Sequence, residues 1–195
     1  MSQGSGEFMN GGGPDRGARD AAGRGILLHV CCGPCASHCL SVLQADYKVT
    51  LFFSNSNIWP REEYDKRLAS ARKLAALCGV PLVEDKYDHD AWLALVDGLE
   101  AEPEGGGRCE LCFAFNLGRA ARYAGEHGFD LFTTSLTVSP HKSSPVIFKA
   151  GEAEGAFLKA DFKKKDGFRQ SVEFSKAYDL YRQDYCGCEF SRKRK

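Results

Sequence analysis

The sequence predicts an α/β fold in which a doubly wound, mainly parallel sheet carries helical additions at its C-terminal end. Two observations support this prediction. Apolar runs of strand length alternate with longer segments of helical periodicity along most of the chain. Cysteine-rich and polar segments directly follow several of these runs, where open α/β sheets bind their ligands. Such alternation favours parallel strands joined by helical crossovers.

Four apolar runs are predicted to be the strands of this sheet. The first run, GILLHV, has no charged residue and is typical of a strand that is buried within a sheet. The next two runs each follow a segment of helical periodicity, and the fourth precedes the polar segment TTSLTVSPHK. The predicted strands cover residues 25–30, 48–54, 80–85 and 129–135.

Helices are predicted between these strands and after the last of them. The first helix starts near Pro34, because proline is favoured in the first turn of a helix. The second covers residues 61–79 and ends in glycine, a common residue at helix C-termini. The remaining helices are predicted at 90–99, 109–128, 143–155 and 171–181.

The chain is predicted to comprise a leader and one domain. Residues 1–23 are rich in glycine and charge, show no periodicity and include Met9, so we interpret them as a disordered leader or vector-derived remnant. Residues 24–195 are expected to form a single α/β metalloenzyme domain. No signal peptide and no apolar run of about 18 residues is present, which predicts a cytoplasmic protein without a membrane partner.

Charge is balanced overall but uneven along the chain. Lysine plus arginine and aspartate plus glutamate number 26 each, so net charge predicts no attraction to nucleic acid. Basic residues nevertheless cluster in the last third, at Lys163 to Lys165, at Arg182 and in the terminal RKRK at 192–195. Such clusters can follow a phosphate backbone, although short basic runs are more often a solvated face or a frayed tail.

Three segments are expected to meet at one edge of the sheet. Cys31 and Cys32 end the first strand, Asn55 and Asn57 follow the second, and residues 133–142 follow the fourth. Because the carboxyl ends of parallel strands lie at the same edge, these segments should line one crevice.

Seven of the nine cysteines form clusters that suggest metal or redox chemistry. The spacing Cys-x-x-Cys occurs at 32/35 and at 109/112, and it lets two thiolates reach one metal or cluster at the start of a helix. The residues alone leave structural zinc, an iron–sulfur cluster and a thioredoxin-like dithiol open. Cys39, Cys78 and His29 are predicted to be core residues instead.

Several ordered motifs together resemble the QueH family of epoxyqueuosine reductases. The motifs include LLHVCCGPC at the first strand, RCELCFAFNLGRAARYA at the predicted fourth helix, and YCGCEF near the C-terminus. Because they occur in one order over nearly the whole chain after residue 24, they are far more specific than any Cys-x-x-Cys pair. The matching segments are 27–35, 51–67, 108–124, 128–142 and 157–191.

The resemblance implies the last step of queuosine biosynthesis. Epoxyqueuosine at the wobble position of a tRNA with a GUN anticodon would lose its epoxide oxygen by two-electron reduction, with electrons from an unknown donor. The family is understood to use a 4Fe-4S cluster with an adjacent iron ion. The resemblance implies four cluster ligands and one ligand for the neighbouring iron, namely Cys31, Cys32, Cys109 and Cys112 for the cluster and Cys35 for the iron.

The resemblance also suggests roles for other positions. The residues expected to be catalytic are Cys35, Cys186, Cys188 and Asp161. Cys186 and Cys188 would ligate metal, relay electrons or form a reversible bridge. Residues expected to bind the substrate or its tRNA are His141, Lys142, Arg182 and Gln183. Phe113 and Tyr185 are candidates to pack against a base that has left its stack.

Two other classes of function remain open on the residues. A zinc-stabilised RNA-binding module would use the two Cys-x-x-Cys pairs as a structural metal site. A PP-loop-like tRNA-modifying enzyme would cradle ATP phosphates at a helix N-terminus, and the predicted Rossmann-like sheet resembles that HUP/PP-loop class. The turn CCGPC has thiols where that class has glycines, which argues against a phosphate site.

Overall fold

The computed structural model describes residues 23–192 and is built around four parallel strands in the order β3-β2-β1-β4. This confirms the predicted α/β fold with a parallel sheet. The leader predicted at 1–23 and the basic tail at 192–195 lie outside the described residues, except for one residue at each boundary. The strands are β1 (Gly25–His29), β2 (Lys48–Phe53), β3 (Leu82–Glu84) and β4 (Leu131–Thr134).

Helices cover both faces of the sheet. The second helix ends at Gly79, whose φ of +63° is the left-handed conformation that terminates many helices. The third begins where the Asp88 carboxylate accepts a hydrogen bond from the Ala91 amide at 3.3 Å. The helices are α1 (Gly33–Leu43), α2 (Arg61–Cys78), α3 (His89–Leu95), α4 (Gly107–Glu126), α5 (Ser144–Ala153) and α6 (Gly167–Ala177). Within residues 23–192, no helix combines the length and apolarity that a membrane span requires.

The central strand β1 is buried on both faces, as its uncharged sequence predicts. Ile26 and Leu28 pack with α1 and α2 in one core, whereas Leu27 faces α4 in the second core. The register pairs Ile26 with Val49 of β2 and with Leu131 of β4. Since alternate side chains point to opposite faces, this register supplies apolar side chains to both cores at once.

Several predicted elements differ from those observed in length or position, among them the helix predicted at 90–99, which spans His89–Leu95. The strand predicted at 80–85 pairs with β2 only over Leu82–Glu84, because it is the edge strand and its side chains are only partly buried. The last helix starts at Gly167, four residues before the predicted start at 171. The missing side chain of Gly167 makes this start possible, since a Cβ there would overlap the carbonyl oxygen of Phe162.

The sheet reverses its winding direction beside β1. The chain moves from β1 to β2 and β3 on one side and then crosses to β4 on the other. At such a switch point the connections diverge and leave a crevice beyond the carboxyl ends of the strands. Here Cys31, after β1, donates its backbone amide hydrogen to the Ser135 hydroxyl, after β4, at 3.3 Å. The predicted cysteine segment therefore lies at the switch point.

Helices α1 and α2 approach closely at Gly33. A Cβ built on Gly33 would lie 2.6 Å from the carbonyl oxygen of Ser70, which is backbone and cannot rotate away. Glycine is therefore required beside the cysteines because two helices meet there, and not because the turn has a left-handed conformation.

We predict that Gly33→Ala lowers the free energy of unfolding by about 1–3 kcal/mol, the usual cost of overpacking a core. The matched control is Gly125→Ala, at an exposed position near the end of α4, where nothing lies within 4 Å of the added Cβ. That change should raise the free energy of unfolding by about 0.5–1 kcal/mol, because alanine is the better helix former. Urea unfolding followed by circular dichroism measures both, and equal effects of the two substitutions would contradict the close contact.

Candidate active site

A cavity of about 360 Å³ opens at the switch point of the sheet. Its walls come from the segments that follow β1, β2 and β4, from the first turns of α4 and from the C-terminal segment. The three strand-end segments predicted to meet in one crevice thus do so, with Cys31, Asn57 and Lys142 among the lining residues. A cavity of this size is within the range that small ligands and single bases occupy.

The first thiol group, which we call the strand-end thiols, comprises Cys31, Cys32 and Cys35. Their sulfur atoms all lie within 4.8 Å of one another. Cys32 is the N-cap of α1 with an extended backbone, and Cys35 lies on the first turn of that helix, so the end of β1 and the start of α1 bring the sulfurs together. Among residues 23–192, this is the one group of three or more cysteine, histidine or acidic side chains close enough to share a metal ion.

The strand-end thiols have different proton affinities. Hydrogen bonds from Cys31 and then Cys35 hold the pKa of Cys32 well below its usual value, and the Gln183 amide also donates to the Cys32 sulfur at 3.3 Å. The same contact with Cys32 raises the pKa of Cys31, and contacts with both neighbours raise that of Cys35. Of the three thiols, Cys32 therefore loses its proton most readily.

A second set of thiols lies on other walls. Cys112 of α4 and Cys186 of the C-terminal segment line the main cavity, while Cys109 lines a smaller adjoining cavity with Cys186. Burial raises the pKa of Cys109 and of Cys112. The Cys109 sulfur also accepts a hydrogen bond from the Gly105 amide at 3.2 Å. Both cysteines occupy the start of a helix, as the Cys-x-x-Cys spacing predicts.

A lysine ammonium lies between the two sets of thiols. The Lys142 Nζ is 3.5 Å from the Cys186 sulfur. Burial alone would lower the pKa of Lys142, but electrostatic interaction with the sulfurs of Cys186, Cys31 and Cys35 outweighs burial and raises it. Lys142 therefore favours the charged ammonium form next to these sulfur atoms.

Arg67 holds the segment that carries Cys186. This arginine of α2 is 1% exposed, pairs with Glu63 at 2.7 Å, and donates to the carbonyl oxygens of Cys186 and Tyr185 at 2.9 and 3.1 Å. The adjacent Gly187 has a φ of +135°, which other residues rarely adopt. Sequence reasoning missed Arg67, because a Glu and an Arg four residues apart on a helix are typical of an exposed ion pair.

Most of the other predicted site residues also line the cavity. Those that do are Phe113, His141, Arg182, Gln183 and Tyr185.

Asp161 and Cys188 are not among the residues that line the cavity. Asp161 accepts a hydrogen bond from the Ser144 hydroxyl at 3.0 Å, at the start of α5. Cys188 is buried with Trp92 and Val96 in a small separate cluster behind the cavity.

Three further lining residues carry features of a binding site. Asn116 of α4 hydrogen-bonds to Asn57, which joins the wall after β2 to the wall formed by α4. Phe168 at the start of α6 is 37% exposed, and the Arg182 guanidinium lies 5.5 Å from the centre of its ring. Sequence reasoning missed Asn116 because helical periodicity is the dominant signal of its segment, and it missed Phe168 because this residue lies before the predicted start of the last helix.

The donor set fits a thiophilic metal. The strand-end thiols offer three close sulfurs, one of which already favours the thiolate, and soft thiolate ligands select zinc, copper(I) and iron–sulfur clusters. A metal–thiolate group carries net negative charge, and the Lys142 ammonium lies where it would compensate that charge. The group formed by Cys31, Cys32 and Cys35 can therefore bind a metal ion.

Comparison with known proteins identifies the family. The chain matches the family described as epoxyqueuosine reductase QueH over residues 26–194. A protein of that name from Streptococcus pyogenes is 42% identical over 179 residues, covering 86% of this chain and 70% of the relative. Relatives of the same name from Staphylococcus aureus and Thermotoga maritima are 36% and 35% identical, covering 78% and 89% of their own lengths. With a family match that spans the whole sheet and every cysteine cluster, this chain belongs to the QueH family.

Proposed function

We propose that this protein is an epoxyqueuosine reductase, an oxidoreductase that converts epoxyqueuosine to queuosine at the wobble position of tRNA with a GUN anticodon. The observation that carries the proposal is the meeting of Cys31, Cys35 and Lys142 in one cavity of about 360 Å³ at the switch point, with the sulfur of the fully buried Cys32 close to those of Cys31 and Cys35. Membership of the QueH family, whose curated relatives bear the name of this activity, supports it.

The proposed metal ligands come from both sides of the cavity. Cys31, Cys32, Cys109 and Cys112 would hold a 4Fe-4S cluster, and Cys35 would bind an adjacent iron ion. When bound, these groups supply single electrons and a Lewis acid. Of these five thiols only Cys32 has a lowered pKa, so a metal would have to displace the protons of the other four, and its binding should weaken as the pH falls.

The protein must also supply positive charge where the epoxide oxygen leaves. Removing that oxygen as water consumes two electrons and two protons and leaves an alkene. Lys142 Nζ faces the cavity as an ammonium and can stabilise a developing oxyanion or deliver a proton to it. His141 lines the same cavity and is a second candidate to contact the substrate.

Aromatic and basic residues around the cavity suit an extruded base. Phe113 and Tyr185 line the walls, and the exposed ring of Phe168 lies at the rim beneath Arg182. Bases stack on aromatic rings, and a base must leave its stack to enter a cavity of this kind.

Cys186 is placed to act beside Lys142, either on metal or as an electron relay. An electron relay or a reversible disulfide between Cys186 and Cys188 would require the Cys188 side chain to leave its buried cluster. Asp161 would act by orienting α5 through Ser144, since it does not itself line the cavity.

Neither alternative function is favoured by a specific observation. A zinc-stabilised RNA-binding module would use thiols only for structure, yet four of the cysteines line a cavity together with a lysine. A PP-loop-like enzyme would need space for a pyrophosphate after β1, where Cys31 and Cys32 carry their side chains instead.

We predict that anaerobically purified protein contains about four or more irons per chain with matching acid-labile sulfide. A cluster of four irons with an adjacent iron ion needs four thiolate ligands and a fifth thiol close to them, which is the proposed donor set. Metal analysis and sulfide titration test the prediction. One zinc per chain without sulfide would contradict the reductase proposal and favour the structural zinc site.

Replacement of the most acidic thiol, Cys32→Ala, is expected to lower turnover of epoxyqueuosine tRNA at least about 100-fold and to reduce bound iron. The physical reason is that the substitution removes a proposed ligand, the thiol of the three whose pKa is lowered. Cys78→Ala is the control, because Cys78 ends α2 outside the cavity lining. Normal turnover by the Cys32 variant would exclude this residue as a cluster ligand.

Lys142→Met keeps the length and apolar character of the side chain but removes its charge. We expect turnover to fall about 100-fold, the usual loss when one group that stabilises developing negative charge is removed. Affinity for the tRNA should change little, because the ammonium faces the cavity and not the outer surface. Lys149→Met, at an exposed position on α5, should leave turnover unchanged. Single-turnover rates and RNA affinity, measured separately, distinguish a catalytic charge from an RNA contact.

A further inference from the structure

Two amide side chains on the cavity wall determine each other's orientation. Asn116 donates from Nδ2 to the backbone carbonyl of Cys112 and to Oδ1 of Asn57, both at 3.1 Å. A backbone carbonyl can only accept, so the nitrogen of the Asn116 amide must face it. That same nitrogen faces Asn57, and Asn57 must therefore turn its oxygen toward Asn116. The Nδ2 of Asn57 points away from this contact.

The outward amide of Asn57 has no protein partner. Asn57 is only 7% exposed and lines the cavity, yet no acceptor within residues 23–192 receives a hydrogen bond from its Nδ2. Among residues 23–192, this nitrogen is not one of the fully buried side-chain polar atoms that lack a partner, so it is accessible from the cavity. A molecule in the cavity can therefore accept its hydrogen bond in place of water.

Asn55 offers the complementary atom on the same loop. Its Nδ2 donates to the carbonyl oxygen of Val30 at 2.8 Å, which turns its Oδ1 away from the backbone. Asn55 is 4% exposed and also lines the cavity, and none of the described residues donates to its Oδ1. The loop after β2 therefore presents one free donor and one free acceptor to the cavity.

We propose that Asn57 and Asn55 recognise the Watson–Crick edge of the extruded wobble base, with Asn57 Nδ2 donating to O6 and Asn55 Oδ1 accepting from N1–H. This inference rests on the proposed function, which places a guanine-type base from a GUN anticodon in the cavity. Such a base has a carbonyl oxygen next to a ring N–H, which one donor and one acceptor on the same loop can pair with. Enzymes that extrude a base commonly recognise it through hydrogen bonds to this edge.

The Asn57→Asp variant tests the donor directly. The aspartate has nearly the same shape and still accepts the hydrogen bond from Asn116, but its carboxylate cannot donate to the base. Because it also adds a negative charge, Asn57→Ala is studied in parallel as an uncharged variant that lacks the same donor. Both proteins are first checked for wild-type iron content and melting temperature, so that an effect on folding or on the metal is detected separately.

The measurements are steady-state reduction of epoxyqueuosine tRNA and direct binding of two anticodon stem-loops, one carrying epoxyqueuosine and one carrying guanine at the wobble position. We expect both variants to raise KM about 10- to 100-fold with little change in kcat, the behaviour of a contact that is equally strong in the ground and transition states. Both should also bind both stem-loops more weakly by the same factor, because O6 is common to the two bases.

Several outcomes would overturn this assignment. Wild-type KM and RNA affinity in both variants would show that Asn57 makes no contact with the base. An effect of the aspartate without an effect of the alanine would identify charge as the cause. Weaker binding of the epoxyqueuosine stem-loop alone would show that the amide contacts the cyclopentane group and not the base edge. Loss of iron or of thermal stability in step with activity would show a structural role.

Failure of the proposed function gives a different result. If the wild-type protein does not reduce epoxyqueuosine tRNA, the reductase proposal is wrong. The stem-loop affinities of wild type and variants still decide whether Asn57 contacts a guanine-type base.

Discussion

The pairing of β1 with β2 on one side and β4 on the other is the constraint on which the site depends. It sends successive crossovers in opposite directions and leaves the crevice between them. The register is held by burial on both faces, because a shift of one residue would exchange Leu27 with its neighbours between the two cores. The cysteines after β1 and the polar residues after β2 and β4 are thereby brought to one place.

Two partly or fully buried cations organise the remainder of the site in different ways. Arg67 is almost fully buried and donates hydrogen bonds to Glu63 and to two backbone carbonyls, so it orders the segment that carries Cys186. Lys142 instead has sulfur atoms as its main electrostatic partners and remains available to a molecule in the cavity. The protein satisfies the charge of Arg67 fully, which suits a structural role. It satisfies the charge of Lys142 only in part, which suits a role in binding or catalysis.

Sequence reasoning was most successful where a signal is local. The four strands, the start of α1 at the cysteines and the meeting of three strand ends follow from periodicity and from the geometry of parallel sheets. The resemblance carried by ordered motifs identified the family. The roles of Arg67 and Asn116 could not be predicted, because each depends on a partner more than 50 residues away in the chain. The sequence also could not predict that Cys186 lines the cavity while Cys188 is buried in a separate cluster. Both belong to one short motif, and only packing distinguishes them.

The close contact at Gly33 has a consequence for electron transfer. Because the start of α1 lies directly against the Ser70 carbonyl, the strand-end sulfurs cannot spread apart unless a helix of the core moves with them. Ligands held in a tightly packed frame keep nearly the same geometry when the charge they surround changes. For a redox metal held by these sulfurs, as proposed, little nuclear rearrangement would accompany each electron that arrives or leaves, and the barrier to transfer would fall accordingly. One hydrogen atom in place of a methyl group would thus link the packing of two helices to the rate of the proposed redox chemistry.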